Sequence, residues 1–192
     1  TTRATVALLK KLDVAVLELD TPTTLAATRE QIREVAGVLG VSARGEQLVA
    51  RLDAALARAA DHPPQRPLAA VDLPNGATAG GGSLLDELLE HAGLVNLADH
   101  LGIQRWGTLS LESLLLAAPD LLVVEREHPY PSLATGVLGH PALAGLKAET
   151  VVVPGQTWSC AGPWLAEALE RLAGARRAFT GDLLLSDIDS SR

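Results

Sequence analysis

Leu68–Leu94, LAAVDLPNGATAGGGSLLDELLEHAGL, holds the pattern on which the fold turns. Its first six residues, Leu68 to Leu73, are an apolar run of strand length. PNGATAGGG then reads as a long loop. SLLDELLEHAGL reads as a helix with Ser83 as its N-cap. Glu87 falls where an acid of capping-box type favours a first turn. A glycine run that opens a helix raises the question of a phosphate cradle. GGGS lacks the Lys and Ser/Thr of a P-loop, and AGGGS does not fit GxGxxG. The competing reading is that the glycines let the backbone turn tightly, or come close to a neighbour or a ligand. An α/β enzyme holding a nucleotide or phosphate at this loop stands as the alternative function.

Outward from this unit the same rhythm repeats. TLSLESLLLAAP predicts a helix capped by Ser110 and ended by Pro119, and Asp120 to Glu125, DLLVVE, is a clean apolar strand. EHPYPSLATGVLGHPALAGL is a proline-marked loop with short helical turns. Val151 to Val153 forms the last strand, and GPWLAEALERLAGAR an amphipathic closing helix. Upstream, the proline-rich HPPQRP is the best boundary. Before it, SARGEQLVARLDAALARAAD predicts a helix of about five turns, with Leu48, Leu52, Ala55, Leu56 and Ala59 on one stripe. An earlier helix starts from the cap Thr24 and stops at Gly40. Val14 to Leu19, VAVLEL, reads as a short strand preceded by a helix end at Thr2 to Leu12. Continuous apolar strands alternating with helices predict an α/β fold, Rossmann-like, with a mostly parallel sheet and helices on both faces. Ligands of such sheets bind beyond the carboxyl ends of the strands. Segments 75–82, 104–108, 125–132 and 154–163 are expected there.

Composition narrows the function. At 192 residues with 47% hydrophobic and 20% charged residues, the chain supports a packed core rather than disorder. A net charge of −7 without a basic cluster argues against nucleic acid. One cysteine excludes an internal disulfide framework. The chain has no methionine and starts within apparently structured sequence, so it reads as a processed or truncated piece of a longer protein. No signal peptide is present, and no apolar run is long enough to cross a bilayer.

Few side chains suggest chemistry. Cys160 would need a base and an electropositive pocket to act as a nucleophile, and with His128 and His140 at no recognisable spacing it reads as a small buried thiol. The five histidines form neither HxH nor HExxH, so a structural metal site is not expected. His91 and His140 read as helix-end residues. His128, in EHPYP, is either a solvated loop residue or an axial ligand of a chelated metal. Aromatic residues are 3% of the chain, and Trp106, Tyr130 and Trp158 all fall near strand-end loops, where rings either suit a flat apolar ligand or pack the loops themselves. Trp164 reads as core. Glu112 sits in a first helical turn, which a dipole-favoured acid explains.

The ordered set NGATAGGGSLLDELLEHAGLVNLA, W-G-x-L-S-L-E-x-L-L-x-A-x-P-D-L-L-V-V, PSLATGVLGHPAL and VVVP-x-x-x-W-x-C-x-GP resembles the periplasmic substrate-binding proteins of ABC importers for cobalamin, haem and ferric siderophores. The resemblance covers about residues 5 to 178. It implies two α/β lobes joined by a rigid helix, with the chelate held between them. On that basis residues 1–41 are a remnant of the amino-terminal lobe, 42–66 the interlobe helix and linker, 67–180 the carboxy-terminal lobe, and 181–192 a tail. The implied ligand-facing positions are Asn75, Gly76, Thr78, Trp106, Glu127, His128, Tyr130 and Trp158. Glu112 matches the exposed acid that docks on arginines of the inner-membrane permease. The implied role is a binding protein rather than an enzyme, with no cofactor of its own, in the periplasm or lipid-anchored outside the cell. Its partners would be a metal chelate and the ABC permease, with self-association through the exposed face of a truncated lobe.

Overall fold

The computed structural model describes residues 3–60, 65–125, 140–158 and 160–190, with only the backbone described at Ala144 and at 180–190. Three helices come first: α1 (Arg3–Lys11), α2 (Leu25–Val38) and α3 (Ser42–Ala59). The cap of α2 is Thr24, whose side chain accepts from the Ala27 N–H. Of the expected stripe on α3, Leu52, Ala55, Leu56 and Ala59 are buried in the core, while Val49 is buried in place of the half-buried Leu48. Helices α2 and α3 pack so closely that a Cβ on Gly45 would lie 2.6 Å from that of Ala36. Arg29–Asp53 and Arg33–Glu46 ion pairs cross the outer side of this hairpin.

Val14–Leu19 is not a strand. The segment is irregular, with Val14, Leu17 and Leu19 exposed. A strand exists only where another backbone completes its ladder, and among the described residues none pairs with this segment.

Beyond residue 64 come β1 (Leu68–Asp72), β2 (Ala77–Ala79), α4 (Leu84–His91), β3 (Val95–Asn96), α5 (Leu97–His100), β4 (Trp106–Thr108), α6 (Leu111–Ala117), β5 (Leu121–Val124), β6 (Glu149–Val152) and α7 (Leu165–Ser190). Strands β3-β1-β5-β6 form a sheet in that order, with every pair parallel. The pleat sends alternate side chains to opposite faces. Ala69, Val71, Leu121 and Val123 join the larger core cluster with residues of α3, α4 and α7. Ala70, Leu122 and Val124 face the other way, onto Leu97, Leu109 and Leu114. Both faces are thus covered, as the unbroken apolar strands imply. The last helix is longer than the sequence suggests, because it runs through the acidic tail to Ser190. Among the described residues no helix is long and apolar enough to cross a membrane.

The stretch PNGATAGGG is not one loop. A 3₁₀ turn at Pro74–Gly76 leads into β2, which pairs antiparallel with β4 as a small ribbon: Ala77 with Thr108, Thr78 with Gly107, Ala79 with Trp106. This ribbon stands at the carboxyl end of β1 and shapes one side of the candidate site.

Candidate functional site

The site begins where β1 ends. Asn75 and Gly76 both take positive φ, 65° and 70°, which turns the chain back so that the Leu73 N–H reaches the Ala77 carbonyl at 2.9 Å. The next glycines have separate reasons. A Cβ on Gly80 would collide with the Ile103 carbonyl, and one on Gly81 with the Asp99 carboxylate. These two glycines are filled against the 99–105 loop, with Gly80 N–H to Arg105 O and Gly81 N–H to Ile103 O both at 2.9 Å. Gly82 instead needs its positive φ of 71°. The close approach leaves no phosphate cradle at Gly80 and Gly81. The alternative of a nucleotide held there loses its structural basis.

Ser83 caps α4 as expected, accepting from the Asp86 N–H at 3.1 Å. The acid that completes the turn is Asp86 rather than Glu87. Asp86 accepts from the Gly82 N–H at 3.1 Å and from Asn96 Nδ2 at 2.9 Å. The Asn96 amide also donates to the Ala79 carbonyl and accepts from the Ala98 N–H. This buried network clamps the glycine segment to β3 and α5. Glu87 points elsewhere: its Oε2 accepts the Leu25 N–H at 2.6 Å. A residue in the first turn of one helix therefore terminates another.

Two further segments supply the rings, Trp106 at the start of β4 and Trp158 after β6. Arg105, in a left-handed conformation with φ 57°, places Trp106 with its indole 67% exposed. Across from it, Glu125 follows the end of β5. Its carboxylate lies against Gly155, where a Cβ would come within 2.7 Å, and accepts from Trp158 Nε1 at 3.4 Å. Trp158 is buried and forms a floor rather than a flap. These groups enclose a hollow of about 200 Å³. One wall is Thr21–Thr23, ahead of α2. Another part of the lining is Gly82–Leu85 with Leu73, and Arg105, Trp106, Glu125, Trp158 and Ala161 complete it.

Of the residues expected to face a ligand, Trp106 and Trp158 come together here. Asn75 is exposed, beside this hollow rather than in its wall, and Gly76 is buried. Thr78 is fully buried, and its hydroxyl finds no hydrogen-bond partner. Glu127, His128 and Tyr130 lie outside the described residues. Glu112 is exposed in the first turn of α6. This turn sits beyond the carboxyl end of β1, since the nearby Leu109 N–H donates to the Gly76 carbonyl at 3.0 Å. Two expectations fail locally. Cys160 is exposed, not buried. Trp164 is 43% exposed, with its Nε1 donating to the Cys160 carbonyl. The Gly162–Pro163 turn puts it on the rim of the last helix, not inside it.

Sequence reasoning passed over Arg105, Glu125 and the Thr21–Thr23 wall. Arg105 and Glu125 lay within segments expected at the strand ends, so position alone could have raised them. Thr21–Thr23 had no such signal, because its approach to α4 spans 62 residues from Leu25 to Glu87. Among the described residues no group of three or more His, Cys, Asp or Glu side chains is placed to hold a metal ion.

Similarity to known proteins agrees with this architecture. The chain is similar to the periplasmic haem-binding protein RhuT from Roseiflexus sp. RS-1 in its apo form. Identity is 26% and the TM-score 0.79, over 93% of this chain and 73% of that one. A structure described as an ABC-type Fe3+-hydroxamate transport system from Saccharomonospora viridis is also 26% identical, with a TM-score of 0.67, over 85% of this chain and 62% of that one. The periplasmic haem-binding protein HutB of Vibrio cholerae shares the fold at 17% identity and TM-score 0.78, over 91% and 72% of the two chains. No curated protein matches the chain. The periplasmic binding protein family profile matches residues 4–149, and with the parallel sheet and its strand-end hollow this establishes that the chain belongs to the periplasmic binding protein family.

Proposed function

We propose that this chain is the substrate-binding component of an ABC importer, taking a metal chelate in the periplasm and delivering it to the inner-membrane permease. Haem, a ferric siderophore or cobalamin is the cargo class. The carrying observation is the exposed Trp106 indole next to Arg105, over a floor made by Trp158. Indoles offer flat apolar surface for a chelate ring or its substituents, and a guanidinium suits a carboxylate or hydroxamate oxygen at the rim. Family membership and the haem-binding neighbour at 26% identity support the same reading. A hollow of about 200 Å³ is smaller than the roughly 300–1,000 Å³ of a drug-sized site. It receives one edge of the chelate. The rest would lie against the exposed Asn75, and against Glu127, His128 and Tyr130 after β5, while the buried Gly76 serves the turn. Glu112 is the permease contact. The role calls for no catalytic group, and the cargo leaves chemically unchanged.

Titration with hemin, cyanocobalamin and a ferric hydroxamate, read by tryptophan fluorescence, tests the reading. One of them is expected to quench saturably, and Trp106→Ala to lower its affinity by about tenfold, the size of a lost ring contact. Failure of all three to bind, alongside stabilisation by ATP, NAD or phosphate, would turn the assignment toward an enzyme.

A further inference from the structure

We propose that Glu87 is a positioning residue that sets the width of the ligand cleft, by holding the start of α2, and the Thr21–Thr23 wall ahead of it, against α4. The first N–H groups of a helix have no acceptor within it. In α2 the Thr24 side chain serves Ala27, and the Leu25 N–H goes to Glu87 Oε2 at 2.6 Å. The helix end carries partial positive charge, so this bond is charge-assisted. Leu25 itself is buried to 1% exposure in the core cluster that includes Leu85, Leu88 and Leu89. The wall moves with α2, because Gln31 Nε2 donates to the Asp20 carbonyl at 2.7 Å. On the other side, Ser83, Leu84 and Leu85 line the hollow from the first turn of the helix that carries Glu87. One carboxylate therefore fixes the gap between two walls that are far apart in sequence. A residue that only capped α2 would change stability without changing which ligands fit.

The ligand half of the test rests on the chelate-binding reading, while the geometric half does not. In a Cys160→Ser, Thr23→Cys protein carrying bimane at position 23, the indoles that line the same hollow quench the dye on contact. Glu87→Ala is expected to lose most of that quenching. Glu87→Gln keeps it, because the amide oxygen still accepts the Leu25 N–H. Glu87→Asp, one methylene shorter, falls between and serves if the alanine variant does not fold. Quenching unchanged in both Glu87→Ala and Glu87→Asp overturns the proposal. Without the label, hemin, cyanocobalamin and a ferric hydroxamate are compared by equilibrium dialysis. The ratio between the tightest and weakest probe is expected to shift about tenfold in Glu87→Ala and to return in Glu87→Gln. Equal weakening of every probe means a plain cap and also overturns it. If the unmodified chain binds none of the three, the chelate reading fails, and the dye measurement still decides the role of Glu87.

Discussion

At the scale of single residues, the two carboxylates that end β1 and follow β5 meet opposite conditions. Glu125 has the indole N–H of Trp158 and a glycine surface to lie on. Asp72 is buried at the carboxyl end of β1, and burial pushes its carboxyl from 3.8 up to about 6. The charged form is disfavoured because the protein replaces water around it with apolar neighbours. A folded-state value above the unfolded one means the native chain holds the proton more tightly. Stability contributed this way is complete below about 3.8 and is lost as pH rises through about 6. Asp72→Asn carries no such term. The substitution is expected to raise the melting temperature relative to the parent at pH 7.5, by an amount equivalent to roughly 1–3 kcal/mol, and to lose most of that advantage at pH 4. Thermal denaturation of both proteins at the two pH values measures this. A constant difference across the range would mean that Asp72 is not the titrating group.

At the scale of elements, the glycine segment shows why neighbouring identical residues are not equivalent. Gly80 lies against the Ile103 backbone, which cannot step aside, whereas Gly82 has open space and only a positive φ to satisfy. Gly80→Ala is therefore expected to cost about 2–3 kcal/mol by overpacking. Gly82→Ala should cost about 1 kcal/mol through backbone strain alone. Urea denaturation ranks them, and the reverse order would show that the 80s segment does not pack on the 103 loop as described. The same contrast explains what the sequence could reveal. The parallel strands β1 and β5 and the caps Thr24, Ser83 and Ser110 were legible, because apolar runs and capping side chains are local signals. The β2–β4 ribbon was not. Ala-Thr-Ala and Trp-Gly-Thr are too short for periodicity, and their pairing is set by a turn of positive φ at Asn75 and Gly76 together with the Asp86–Asn96 clamp. Val14–Leu19 failed in the other direction, with strand-like residues but no neighbouring ladder. The site followed suit: rings in strand-end loops could be found, while Glu87 reaching Leu25 depends on the packed arrangement of α2 against α4.

At the scale of the whole molecule, the proposed binding and delivery roles fall on different surfaces. The hollow is walled by Thr21–Thr23, the α4 turn and the strand-end loops. Glu112 lies outside it, exposed in the first turn of α6, and Leu116, one turn further along, is 88% exposed. Residues four apart share one side of a helix, so this short element offers an acid and an apolar side chain together. An exposed leucine alone needs no explanation. Paired with an acid already free of internal ion pairs among the described residues, it suits a permease surface carrying arginine beside apolar groups. Charge at the edge of an interface acts mainly through encounter and register. Glu112→Arg in the full importer is therefore expected to lower chelate uptake by at least about tenfold, with chelate affinity within about twofold of the parent. Leu116→Ser should reduce uptake less, and the same way. Transport assays in reconstituted vesicles and ligand titrations on the same preparations separate the two quantities. Parallel loss of affinity and uptake would place Glu112 on the ligand side of the molecule, because a contact made only with the permease has no route to the chelate equilibrium of the free binding protein.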